Sequence, residues 1–230
     1  MYEFQQYSPR KFNFLPPVCK NLLIINTLCY LLSVVLRYRG IDLNDIFGLH
    51  FFMADHHYFY QYVTYAFMHA NFSHLFFNMF AVWMFGYLLE NVWGAKKFLV
   101  FCFVTIIGAA IVQQVTYLFM YKDLVFGNYG YVDMGFTQMS TAAFLNTIKT
   151  VGASGMVFGL LLAFAMMFPN MPIYLYFLFP IKAKWFVLGY VLIELFNGVV
   201  GSNDGVAHFA HLGGALFGFL LIMIWRKNGR

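Results

Sequence analysis

Residues 151–168 read VGASGMVFGLLLAFAMMF, Val151 to Phe168, and carry no charge. From Ser154 onward the run is apolar, as a membrane helix would be. It is also short. At about 1.5 Å per residue, residues 154–168 rise roughly 22 Å, against a hydrocarbon core of roughly 30 Å. A helix that starts below the membrane surface leaves its free N–H groups inside the membrane. Such backbone is tolerated only where protein buries it or where it lines a wet cavity. Ser154 would sit on the floor of that cavity. Taken alone, GASG reads as a small-residue packing site, and the rest of the chain decides whether it is more.

The chain has 230 residues, 62% of them hydrophobic and 10% charged, with a mean hydropathy of +0.69. A soluble domain is roughly half apolar and about one quarter charged, so this is a polytopic membrane protein. The net charge of +5 calls for no nucleic-acid partner; lysine and arginine held on the cytoplasmic side explain it. Cys19, Cys29 and Cys102 lie in or beside apolar segments without CxxC spacing, and an odd count argues against a disulfide framework. The first 20 residues lack the compact apolar region and small-residue cleavage site of a secretory signal.

Six apolar segments are candidate spans, at about 19–38, 72–91, 97–121, 153–169, 183–200 and 206–225. With the N-terminus in the cytoplasm, Arg10, Lys11, Lys20, Lys96, Lys97, Lys182, Lys184, Arg226, Lys227 and Arg230 fall inside. Arg37, Arg39, Lys122 and Lys149 fall outside. That split favours six helices with both ends cytoplasmic. The expected organisation is a cytoplasmic segment 1–18, a membrane domain 19–226 and a tail 227–230. Residues 39–71 read as short amphipathic helices lying in the interface. Residues 122–152 read as a loop descending to Ser154.

Ionisable or strongly polar residues inside spans suggest a functional site. His74 and Asn78 in MHANFSHLFFN are four apart and share one helical face, with His69 just before them. His208 and His211 open the sixth span in VAHFAHLGGALFG. The second, fourth and sixth spans run in one direction, so their polar starts meet at one depth. Gly155 and Gly159, and Gly214 and Gly218, form two small-residue faces that let backbones approach. That approach brings Ser154 near a histidine, the usual base for a serine nucleophile. No acidic residue stands out as a third member: Asp204 is in a loop, Glu90 at the cytoplasmic end, Glu194 in a separate helix. The reading is a Ser–His pair. His74, Asn78 and the Ser154 backbone N–H are candidate oxyanion donors. Glu194 has two open readings, a hydrogen bond to a neighbouring helix or a place on a wet face of the fifth span. The histidines could instead hold a metal, but no carboxylate, cysteine or HExxH motif accompanies them, and none is expected.

HANFSHLFFN, ENVWG at 90–94, GASG at 152–155 and AHLGGALFG at 210–218 occur in an order that resembles the rhomboid family of intramembrane serine proteases. The resemblance covers roughly residues 60–226. It implies an all-α membrane protein, a six-helix rhomboid-like bundle. It implies Ser154 as nucleophile, His211 as general base and acid, and His74, Asn78 and the Ser154 N–H as oxyanion donors. His69 resembles a histidine that braces the first outside loop, and Glu90 the acid at the foot of the second helix. Gly152, Gly155, Gly214, Gly218, Phe158 and His208 are expected to be structural residues near the site. Two departures stand out. Many relatives carry Trp-Arg where this chain has Tyr60-Gln61, and many bacterial relatives carry Tyr where this chain has Phe158.

The expected activity is endopeptidase cleavage of transmembrane segments of membrane proteins, without a cofactor and with membrane lipids as surroundings. The fifth helix and loop 197–206 would be gate and cap. The alternatives are a non-catalytic, pseudoprotease-like binder of client helices and a small histidine-dependent permease. The expected location is the bacterial cytoplasmic (inner) membrane.

Overall fold

The computed structural model describes residues 12–127, 129–135, 137–175, 179–201 and 205–229. Expectations placed on Arg10, Lys11, Asp204, Arg230, most of segment 1–18 and the centre of loop 197–206 lie outside these residues. In chain order the elements are α1 (Pro17–Arg37), α2 (Leu43–Phe47), β1 (Leu49–His50), α3 (Gln61–Thr64), α4 (Phe72–Trp93) and α5 (Ala95–Phe126). Then follow β2 (Tyr131–Asp133), β3 (Gln138–Ser140), α6 (Thr141–Thr147), β4 (Lys149–Thr150) and α7 (Ser154–Met167). The chain ends with β5 (Pro172–Leu175), β6 (Phe179–Lys182), α8 (Ala183–Val200) and α9 (His208–Lys227).

Five helices among the described residues are long and apolar enough to cross a membrane: α1, α4, α5, α8 and α9. The sixth apolar helix, α7, has only 14 residues. It is apolar all round, and such a helix has no face for water and must be buried. Its residues 155–161 and 163–165 are indeed buried. It packs against α9, α5 and α4, with α8 on its remaining side.

Three expected stretches differ from the structure. The third span continues to Phe126, because nothing in residues 122–126 breaks a helix. Residues 122–152 are more than a descending loop: they contain the antiparallel pair β2–β3, helix α6 capped by the Ser140 side chain, and β4. Residues 172–175 and 179–182 form the antiparallel pair β5–β6, which lies in the chain between α7 and α8.

Side chains tie the helix ends. The Glu90 carboxylate at the end of α4 accepts the backbone N–H groups of Val18 (3.0 Å) and Cys19 (2.8 Å) at the start of α1. It thereby satisfies two of the free donors of that terminus and places a negative group on the positive end of its dipole. Asn71 caps α4 by accepting the His74 N–H at 2.8 Å.

The segment between α1 and α4 holds the expected short helices, α2 and α3, and its brace is Gln61, the residue that stands where many relatives have arginine. Its side chain is fully buried. The amide nitrogen donates to the carbonyls of His56 (2.9 Å) and Ile46 (3.2 Å), and the amide oxygen accepts the N–H groups of Tyr58 (3.1 Å) and His50 (3.3 Å). The departure from Trp-Arg therefore leaves the loop braced, by an uncharged group. The segment is joined to the approach to Ser154 by β1–β4 pairing, Leu49 with Thr150 and His50 with Lys149. Lys149 Nζ lies 2.7 Å from Asp45.

Candidate active site

The segment before α7 is held by two hydrogen bonds. Thr150 Oγ1 is 2.6 Å from the Tyr117 hydroxyl of α5. The Gly152 N–H donates to the Tyr65 carbonyl at 2.9 Å, while the Tyr65 hydroxyl donates to Ile106 of α5 at 2.8 Å. Gly152 turns with φ of +124°, open to glycine and strained for other residues. A Cβ there would also lie 2.7 Å from His74 Nε2, so the missing side chain is what lets that imidazole lie against the backbone. Ser154 follows as the first residue of α7, half-buried, with its own N–H among the unsatisfied donors of the helix start.

The serine and His211 meet because α7 and α9 cross on bare backbone. A Cβ at Gly214 would overlap the Gly155 carbonyl oxygen. One at Gly159 would lie 3.1 Å from the Gly214 carbonyl and one at Gly218 3.3 Å from Gly159 Cα. Both expected small-residue faces thus contact each other. One turn above Gly214, His211 Nε2 lies 2.8 Å from Ser154 Oγ. The Phe158 ring, on the next turn of α7, stacks on the His211 imidazole at 4.3 Å and 9°. It keeps the stacking surface without the hydroxyl of a tyrosine.

His74 and Asn78 on α4 line the same cavity, of about 1020 Å³, with Ser154, His208 and His211. His74 Nδ1 accepts the Ala70 N–H at a long 3.5 Å, which leaves Nε2 to carry the proton, facing Gly152. Asn78 Nδ2 spends one N–H on the His74 carbonyl (2.9 Å) and retains a second. His69, buried just before this helix, packs its ring edge-on to His74 at 5.1 Å. Burial, with the neighbouring His74 imidazole, pushes the His69 imidazole down to about 3, so it is neutral at neutral pH.

The structure corrects one sequence reading. Glu194 is not apart from the site: its Oε2 lies 2.8 Å from His211 Nδ1 and 2.7 Å from His208 Nδ1. All three side chains are buried. The pair read from the sequence is a chain of Ser154, His211 and Glu194, with His208 on the same carboxylate oxygen. The one sequence signal was the isolation of an acid in an apolar span; its partner was hidden because α8 and α9 are joined by a loop whose path no pattern fixes.

Among the described residues, two groups of side chains have metal-ligand chemistry: Glu194 with His208 and His211, and Asp45 with His50 and His56. In the first, the separations of 2.7 and 2.8 Å are hydrogen-bond lengths, and in the second Lys149 already occupies the Asp45 carboxylate.

A family model for the rhomboid domain matches residues 56–228. The chain belongs to the rhomboid family. It is 28% identical over 227 residues to "Rhomboid-like protein 11, chloroplastic" of Arabidopsis thaliana, covering 90% of this chain and 64% of that protein. It is 29% identical over 162 residues to "Rhomboid protein 1, mitochondrial" of Saccharomyces cerevisiae, covering 67% of this chain and 38% of that one. This rhomboid-family chain thus spans less than two thirds of the length of either curated relative. Its helices make it an integral multi-pass membrane protein.

Proposed function

We propose that the chain is an intramembrane serine endopeptidase that cleaves transmembrane segments of membrane proteins. The observation that carries this reading is the 2.8 Å approach of Ser154 Oγ to His211 Nε2 in a cavity among membrane helices. Six spans with both ends cytoplasmic fit it, α7 being the short sixth. The membrane expected from the sequence is the bacterial cytoplasmic one; the names of the two relatives bring the chloroplast and the mitochondrion beside it, and fractionation of the source cells separates these.

In this reading His211 Nε2 takes the Ser154 hydroxyl proton as Oγ attacks a substrate carbonyl carbon. The carbonyl oxygen, now negative, meets the Ser154 N–H, the His74 Nε2–H and the free Asn78 N–H. The imidazolium returns its proton to the departing amine nitrogen, leaving an acyl ester on Ser154. Water, deprotonated by His211, then hydrolyses the ester and restores the serine. The substrate helix must unwind locally, because a helical carbonyl is already hydrogen-bonded. Residues of α4 and α8, including Phe77, Ala81, Phe186 and Tyr190, line the cavity between them and offer an apolar side entry for such a segment.

The test uses purified wild type, Ser154→Ala and His211→Ala with a model transmembrane substrate and a fluorophosphonate probe. Cleavage and labelling are expected in wild type alone. Cleavage by Ser154→Ala would refute the reading. A folded wild type inert to both reagents would instead favour the helix-binding alternative.

A further inference from the structure

We propose that Glu194 is a positioning residue for His211, selecting the imidazole tautomer that Ser154 needs and doing so only while α8 lies against α9. The inference rests on the peptidase reading for its catalytic consequence, and on the geometry alone for the tautomer. One oxygen, Oε2, lies 2.8 Å from His211 Nδ1 and 2.7 Å from His208 Nδ1. A proton on Oε2 could be donated to only one of these nitrogens, whereas a bare Oε2 accepts an N–H from each. An ionised carboxylate only accepts, and accepts from both. Each histidine then carries its proton on Nδ1. For His211 this leaves the Nε2 lone pair pointing at the Ser154 hydroxyl, 2.8 Å away. The other tautomer would set an Nδ1 lone pair against the carboxylate and an Nε2–H against the serine oxygen, leaving no base.

Cost argues in the same direction. A carboxylate inside a membrane bundle is expensive unless paired, so an acid used only for packing would be poorly chosen. Here the acid is the one buried charged group of α8, whose other buried residues are Ala183 and Val187. Most of the large side chains of α8 are exposed, among them Trp185, Leu192, Ile193 and Phe196. The helix that carries the carboxylate is thus a lightly packed one, whereas Ser154 and His211 stand on the tight α7–α9 crossing. Displacing α8 would withdraw Glu194 and free the His211 ring to change tautomer without separating serine from histidine.

The experiment compares full-length wild type with Glu194→Gln and Glu194→Asp, reconstituted in lipid. In protein labelled with 15N-histidine, a hydrogen-bonded Nδ1–H resonance is expected, assigned to His211 by its loss in His211→Ala. It should vanish in Glu194→Gln and survive in Glu194→Asp. On a transmembrane substrate, Glu194→Gln should lower kcat by roughly 10²- to 10⁴-fold with KM unchanged, the scale seen when a serine-protease carboxylate is made neutral. Glu194→Asp should recover part of kcat. The proposal is overturned if wild-type His211 carries its proton on Nε2, an observation that does not require any variant to fold. It is equally overturned if Glu194→Gln keeps wild-type kcat, if only KM rises, or if aspartate rescues no better than glutamine. A wild type that neither cleaves nor labels would refute the peptidase reading while the resonance still decides the tautomer.

Discussion

Helix α9 has two unlike neighbours. Toward α7 it meets backbone on backbone: Gly214 faces the Gly155 carbonyl, and Gly218 faces Gly159. Toward α8 it is tied through side chains, with His208 and His211 sharing one Glu194 oxygen. At these glycines the first contact has no slack, because no side chain stands between the two backbones there. The second rests on these three side chains and on Phe209 packed against Gly198, on a helix that is otherwise mostly exposed. In the peptidase reading proposed above, the contrast is a division of labour, in which a rigid crossing holds nucleophile and base in register and a looser helix supplies orientation and access.

Breaking the tight crossing at its chemical end should have the largest effect. Ser154→Ala and His211→Ala are each expected to lower substrate turnover by about 10⁴-fold or more, measured by cleavage in proteoliposomes, with folding retained. Next comes the packing beneath. Gly214→Val must push α7 and α9 apart, and is expected to destabilise the bundle by about 1–3 kcal/mol and to abolish fluorophosphonate labelling. Thermal unfolding and labelling of the same sample check both, and a stable, fully labelled variant would mean the crossing has slack after all.

Two milder changes sharpen the comparison. Phe158 belongs to both sides, stacked on His211 and packed 4.8 Å from Tyr190 of α8. Phe158→Leu should lower turnover about 3- to 10-fold, the value of roughly 0.5–1.5 kcal/mol for an aromatic pair, with little change in unfolding temperature. The smallest effect lies outside the crossing, at Lys149 and Asp45. The Lys149 hydrogen bond holds the Asp45 carboxyl below the usual carboxylate range. A lowered folded value means the pair stabilises at neutral pH and that this contribution fades as pH falls below about 4. Lys149→Met should therefore destabilise by no more than about 1 kcal/mol at pH 7, since Asp45 is partly exposed, and by still less in acid. Unfolding at the two pH values checks the sign.

Much of this molecule was legible in the chain because the relevant signals are local. Apolar runs of span length marked the long helices, and the glycine pairs at four-residue spacing marked the faces that touch. The 14-residue α7 was legible as too short to span, which drew attention to Ser154. Gln61 was not legible as a brace: it makes four hydrogen bonds at once, and a lone glutamine carries no pattern. The continuation of α5 to Phe126 was hidden by polar residues that a helix leaving the membrane can carry.

The sequence alone therefore determined the membrane class, the rhomboid resemblance and the residue types of a serine–histidine site, since composition, periodicity and spacing are properties of neighbours along the chain. Tertiary structure decided the partners. Ser154 and His211 are 57 positions apart, Lys149 and Asp45 are 104, and each pair meets at hydrogen-bond distance. Glu194 and His211 are only 17 apart, yet an intervening turn of unspecified path separates them in the sequence. An acid in an apolar helix announces that it needs a donor; only the packing of α8 on α9 says which one it has.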